Sequence, residues 1–178
     1  MRHFLIILIA FFFLSCSSSD ENTNYVPTPV NLEIPPLFNS LLLPPLIPTD
    51  NQQTIEGIAL GRKLFYEPLL SNDGTQACAS CHLAEYSFSD SNRFSTGING
   101  EMGTRNAMPI VNLAWNFQNN FLWDGNASSL EEQVDDPIEN PLEMNNTWPN
   151  VVATLQATSD YPNLFEQAFG TAIITRES

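Results

Sequence analysis

Basic residues are scarce in this sequence. Six Lys and Arg stand against 20 Asp and Glu in 178 residues, a formal charge of -14. A nucleic-acid partner is thereby excluded, because phosphate recognition needs a basic face; the acidity reads as a solvated surface. Histidine is scarcer still. Of the two present, His3 lies in an N-terminal leader, so His82 is the only one left beyond it and a bis-histidine ligand pair within the chain is excluded. The cysteines number three, Cys16, Cys78 and Cys81. That is too few for a disulfide framework. It is also too few for zinc, since a half-site at Cys78, Cys81 and His82 would want further Cys or His ligands. A stretch of strand-like alternation is missing as well. What remains, 43% hydrophobic residues, suffices for one core of ordinary domain size.

The leader MRHFLIILIAFFFLSC has Arg2 near its start and an unbroken apolar run from Phe4 to Leu14. That run is too short to span a bilayer comfortably and reads as the apolar part of an export signal. It ends at Ser15-Cys16, a small residue before a cysteine. This is the pattern of a bacterial lipoprotein signal, in which Cys16 becomes the lipid anchor. Residues 1–16 are therefore expected to be the signal, and the protein an outer-membrane lipoprotein facing the periplasm. An ordinary secretory signal is the alternative, and the acidic SSSDEN after Cys16 raises display at the cell surface.

Residues 17–49 read as a polar tether followed by a Pro/Leu-rich lead-in, EIPPLFNSLLLPPLIP, expected to lie extended and bury its leucines. Residues 50–178 read as one mostly α domain with long ordered loops. DNQQTIEGIALGRKLFYEP predicts a helix with an apolar stripe at Ile55, Ala59, Leu60, Leu64 and Phe65, stopped by Pro68. Its Gly57 and Gly61 predict close approach of a neighbour. Residues 83–104 predict a long loop, and 109–116 a helix. Ser128 and Glu131 suggest a capping box. TWPNVVATLQAT and YPNLFEQAF predict two more helices, each with proline in its first turn.

The chemistry concentrates at GTQACASCHLAE. Cys78, Cys81 and His82 have the C-x-x-C-H spacing of covalent haem attachment. A helical turn separates the two thiols by the distance between the porphyrin vinyl groups, and the next residue aims its imidazole at the iron. A redox dithiol would want a βαβ setting instead. On the opposite face of the haem, methionine ligation by Met102 is one option, while Met108 and Met144 read as packing residues. Another lies in FLWDGNASSLEEQVDDPIENPLEMNNTW, where Gln133 and Glu143 above an open iron could hydrogen-bond a peroxide and move its proton. From spacing alone the same residues read as helix caps and a polar loop.

The runs LGRKLFYEPLLS, CASCH, FSTGINGEMGTRNA, FLWDGNASSLEEQ, PIENPLEMNNTW and VVATLQ, between residues 56 and 170, resemble the bacterial di-haem cytochrome c peroxidase family, which also includes the haem enzyme that matures methylamine dehydrogenase. The resemblance implies a cytochrome c-like fold and haem c held by Cys78, Cys81 and His82 in the N-terminal, peroxide-reactive domain. It makes Trp123 an electron relay between two haems, assigns Gln133, Pro137 and Glu143 to the distal pocket with Glu143 as acid/base, and puts Asn106 near an inter-domain calcium. It implies hydrogen peroxide as substrate, a small cytochrome or copper protein as electron donor, and a homodimer for the full-length enzyme. Two departures stand out. The loop before RNA lacks the histidine that blocks the haem in many members, so an open resting haem is expected. The second C-x-x-C-H of the family is absent by Ser178, so the chain reads as the N-terminal half of a longer enzyme or a truncated copy. Besides a peroxidase, a mono-haem electron-transfer module and an oxidase acting on a protein substrate remain compatible.

Overall fold

The computed structural model describes residues 25–39 and 43–178. The leader, Cys16 and the start of the tether lie outside the described residues. Thr54, in extended conformation, accepts the Gly57 N–H on its hydroxyl at 3.0 Å and opens α1 (Ile55–Phe65). Of the predicted stripe only Leu60 is fully buried; Leu64 and Phe65 are half-buried, and Ile55 and Ala59 face solvent. Pro68 does not end this helix, which stops three residues earlier. It opens a separate 3-10 turn (Pro68–Leu70) capped by the Glu67 carboxylate. Nor does the glycine pair admit a neighbour: a Cβ on Gly61 would meet nothing within 4 Å, and one on Gly57 would meet the capping Thr54 hydroxyl.

Three short helices follow, α2 (Cys78–Cys81), α3 (Leu130–Gln133) and α4 (Asp135–Glu139), then α5 (Trp148–Gln156) and α6 (Tyr161–Phe169). Proline occupies the first turn of both α5 and α6, where its missing N–H has no intrahelical partner to lose. The cap of α3 sits one residue later than the sequence pattern suggested. Ser129 accepts the Glu132 N–H, and Glu132 reaches back to the Ser128 N–H and hydroxyl at 2.8 and 2.6 Å. The helix expected at 109–116 is a single 3-10 turn (Leu113–Trp115). Pro109 has no donor and Asn112 is left-handed at φ 54°, so no second turn propagates.

Helix α6 is the centre of the core. It packs against α1 and α5, and α5 also covers the Pro68–Leu70 turn. Leu60, Leu70, Ile138, Met144, Val151, Leu155, Tyr161, Phe165, Ala168 and Ile174 form one buried cluster, each large apolar side chain contributing about 1.5–3 kcal/mol of transfer free energy. The Tyr161 hydroxyl donates to half-buried Glu67 at 2.6 Å, at the edge of this cluster.

Among the described residues the leucines of the lead-in are not buried: Leu37 is 73% and Leu43 65% exposed. Apart from one 3-10 turn (Pro36–Phe38) the described part of it forms no helix, and it is tied down by backbone instead. Val30 N–H donates to Gln53 O, Ile55 N–H to Thr28 O, and Leu46 N–H to Ala114 O. Tyr25 closes against α6, donating its hydroxyl to Ala168 O. It lies so close to left-handed Gly170 (φ 76°) that a Cβ there would stand 2.7 Å from the ring. No helix among the described residues is long and apolar enough to cross a membrane.

Candidate functional site

The segment before α2 is a folded platform. Ser71 Oγ accepts the N–H groups of Thr75 and Gln76 at 3.1 and 3.0 Å, while Asp73 holds the Thr75 N–H and hydroxyl. On it, α2 makes one turn, closed by His82 N–H to Cys78 O at 3.0 Å. Cys78 and Cys81 are free thiols. Burial pushes both upward in pKa, an effect opposed at Cys81 by a hydrogen bond from Gln76. Gln76 Nε2 donates both to Cys81 Sγ at 3.2 Å and to Thr96 O at 3.0 Å.

His82 Nδ1 lies 2.9 Å from the Phe88 carbonyl. A carbonyl only accepts, so Nδ1 is the donor and Nε2 is the ring nitrogen left to act as a ligand. The carbonyl is aimed by a tight loop in which Leu83 bridges Ser89 and both Ser87 and Phe88 are left-handed, at φ 58° and 57°. For a residue as bulky as Phe this is strained by about 1–3 kcal/mol. The strain is held in place by Phe88 N–H to Leu83 O at 2.8 Å.

Beside His82 opens a cleft of about 430 Å³, within the usual range of ligand sites. It gathers Cys81, His82, Asn106, Trp123, Gln133, Pro137 and Glu143, residues spread over 63 positions of sequence, together with Met108, Asp136 and Asn140. Cys78 stands apart, packed against the core. Gln133 ends α3 and Pro137 lies within α4. Trp123 is 54% exposed at the rim, donating Nε1–H to Asn106 O at 2.9 Å, and Leu122 before it is left-handed at φ 66°. Asn140 Nδ2–H donates to Glu143 Oε1 at 3.0 Å. Burial, then the Asp136 charge, hold the Glu143 carboxyl above the usual carboxylate range, with Asn140 opposing them. Two cleft residues are each followed by a core residue: Ile138 after Pro137 and Met144 after Glu143. An open acidic groove lined by Glu132, Asp135, Asp136 and Glu139 adjoins the cleft.

Met102, the methionine the sequence offered as a ligand, is 58% exposed and does not line the cleft; Met108 does. Among the described residues no three His, Cys, Asp or Glu gather to hold a metal ion, at Asn106 or elsewhere. Sequence reasoning passed over Gln76, Phe88, Gly97, Asp136 and Asn140. Asn140, three residues before Glu143, and Gly97, inside STGING, carried a local signal; Phe88 carried none.

The family described as di-haem cytochrome c peroxidase matches residues 55–178. The chain belongs to the di-haem cytochrome c peroxidase family. It is 42% identical over 123 residues to the methylamine utilization protein MauG of Methylorubrum extorquens, covering 69% of this chain and 34% of that protein. It is 36% identical over 129 residues to the cytochrome-c peroxidase IdrP1 of a Pseudomonas species, covering 72% and 34%. Among solved structures, a MauG-like protein associated with microbial copper homeostasis superimposes with a TM-score of 0.69 at 34% identity, over 79% of this chain and 40% of that one. The chain thus spans about a third of the length of the relatives it matches. The mostly helical architecture is that of the di-haem peroxidases, and membership makes haem c the family cofactor. The residues present fit that group: two unpaired thiols on one helical turn, an imidazole with only Nε2 free, and a cleft lined by Cys81 and His82.

Proposed function

We propose that this chain is the peroxide-reactive haem domain of a cytochrome c peroxidase. Cys78 and Cys81 would hold the haem by thioether bonds and His82 Nε2 would ligate its iron. The bound haem supplies the site at which peroxide binds and through which electrons reach it. Glu143 takes a proton from the near oxygen of the peroxide and returns it to the far one, so that water leaves. Gln133 orients the peroxide by hydrogen bonding, Pro137 shapes the pocket, and Trp123 passes electrons from a second haem domain that receives them from a small cytochrome or copper protein. One observation carries the reading: His82, Gln133, Pro137 and Glu143 share a single cleft, with a carboxyl that burial holds above the usual carboxylate range, the direction that favours proton transfer.

A calcium near Asn106 between two domains, a homodimer of the full-length enzyme, and the division into a signal at 1–16, a tether at 17–49 and a haem domain from 50 belong to the same proposal. So does residence as a periplasm-facing outer-membrane lipoprotein anchored through Cys16. Met108 at the cleft favours a second reading, an electron-transfer module with a methionine on the open face. Rapid mixing of the haem-loaded ferric chain with hydrogen peroxide, followed at the haem absorption band, separates them. A fast second-order reaction supports the peroxidase. A loaded chain that is wholly low-spin, inert to peroxide and opened by Met108→Ala establishes the carrier.

A further inference from the structure

The segment Thr96–Ile98 runs between the haem-attachment helix and Glu143. On one side stands Gln76, 7% exposed, donating to the Thr96 carbonyl and to Cys81 Sγ. The carbonyl fixes the amide, because turning it over would set Oε1 against an oxygen that only accepts. On the other side Gly97 lies on the backbone of Leu142 and Glu143. A Cβ there would stand 2.0 Å from Leu142 O, 2.6 Å from Leu142 C and 2.7 Å from Glu143 Cα, none of them the movable end of a side chain. With φ at -89°, any residue could adopt this backbone; the need for glycine is steric. The contact is pinned by Ile98 N–H to Glu143 O at 2.9 Å and by the burial of Ile98, 3% exposed.

We propose that Gln76 and Gly97 are positioning residues that, through Thr96–Ile98, set where Glu143 stands relative to the haem-attachment helix. The inference rests on the reading of Glu143 as acid/base. Neither residue reaches the peroxide itself. Their effect is to hold a carboxyl where a displacement of about 1 Å costs on the order of 100-fold in rate. The other titratable groups lining the cleft are Cys81, His82, Arg105, Asp124 and Asp136; of these Cys81 meets the bracket through its sulfur, at Gln76 and the Thr96 carbonyl, and Arg105 pairs by its carbonyl with Ser95 beside it.

The test is a cycle of haem-loaded chains: wild type, Gly97→Ala, Glu143→Gln and the double variant. Each is checked by mass spectrometry for both thioether bonds. The readouts are the ferric–peroxide rate from pH 5 to 8 and the equilibrium affinity for fluoride, an anion that would ligate ferric haem and be stabilised there by hydrogen bonds from the pocket. Gly97→Ala is expected to keep both bonds, slow the reaction roughly 10- to 100-fold, weaken fluoride binding and shift the pH limb that belongs to Glu143. In the Glu143→Gln background the same change should alter rate and affinity by no more than about twofold. An equal loss in both backgrounds, or no loss in either, overturns the proposal. An unchanged rate in Glu143→Gln alone overturns it differently, by removing the acid beneath it. Should Gly97→Ala fail to fold, Gln76→Met keeps the volume and removes both donors. It carries the same cycle, with a loss of about fivefold expected for one hydrogen bond of positioning.

Discussion

Replacing Glu143 by glutamine keeps the side-chain volume and leaves an acceptor for Asn140, 3.0 Å away, while removing the only group proposed to shuttle the proton. In the folded chain, burial and then Asp136 hold this carboxyl above its usual range, toward the pH at which a general base works best. The expected loss in the ferric–peroxide rate is about 10² to 10⁴-fold, or roughly 2.7–5.4 kcal/mol of barrier. Stopped-flow mixing across pH 5 to 8 reads it. The wild-type rate should rise as the carboxyl loses its proton, with an inflection above the ordinary glutamate value, and the variant should be slow and flat. Stability should move the other way. A raised native pKa means that the folded chain holds the proton more tightly than the unfolded chain. The associated stabilisation is complete below the unfolded pKa, about 4.3, and is lost as pH rises through the native one. Glutamine suffers no such loss, so the variant's Tm relative to wild type should climb over that window and then level off. A rate within twofold of wild type, or a Tm difference that ignores pH, would refute the assignment.

Cys16→Ser should release the protein from the membrane fraction into the soluble one; a wild type that is already soluble and cleaved elsewhere would end the lipoprotein proposal. The ferric haem should be mainly high-spin in its resonance spectrum, and Met102→Ala should leave that spectrum unchanged, since Met102 stands outside the cleft. Tyr161→Phe removes the 2.6 Å hydrogen bond to Glu67 at the edge of the core. With a charged acceptor left behind, a loss of about 1.5–3 kcal/mol is expected, seen as a fall in Tm on the order of 5 °C.

The parts of this molecule that follow from local chemistry could be read directly. C-x-x-C-H specifies one helical turn, and proline in the first turn marks α5 and α6. Spacing misled where backbone detail decides. Pro109 and Asn112 reduce a plausible helix to one turn, and the α3 cap shifts by a single serine. The lead-in forms no long helix, as its prolines required, but its described leucines stay exposed where burial was expected. The cleft itself could not have been assembled from spacing, since Cys81 and Glu143 are brought together by loops. Residue types raised that grouping as one option, spacing alone did not favour it, and resemblance implied it. What resemblance left unread were groups that act through the main chain: the Phe88 carbonyl behind His82, and the missing side chain of Gly97.

The alternation at Pro137–Ile138 and Glu143–Met144 joins two otherwise separate ledgers. The α1, α5 and α6 positions of the core contribute no lining to the cleft, so Val151 or Phe165 can drift in size among homologues with consequences for folding alone. At Ile138 and Met144 the same drift turns the neighbouring residue. A methylene lost there should shift the proposed acid/base residue as well as loosen the interior, so two buried, chemically inert positions inherit the constraints of the cleft.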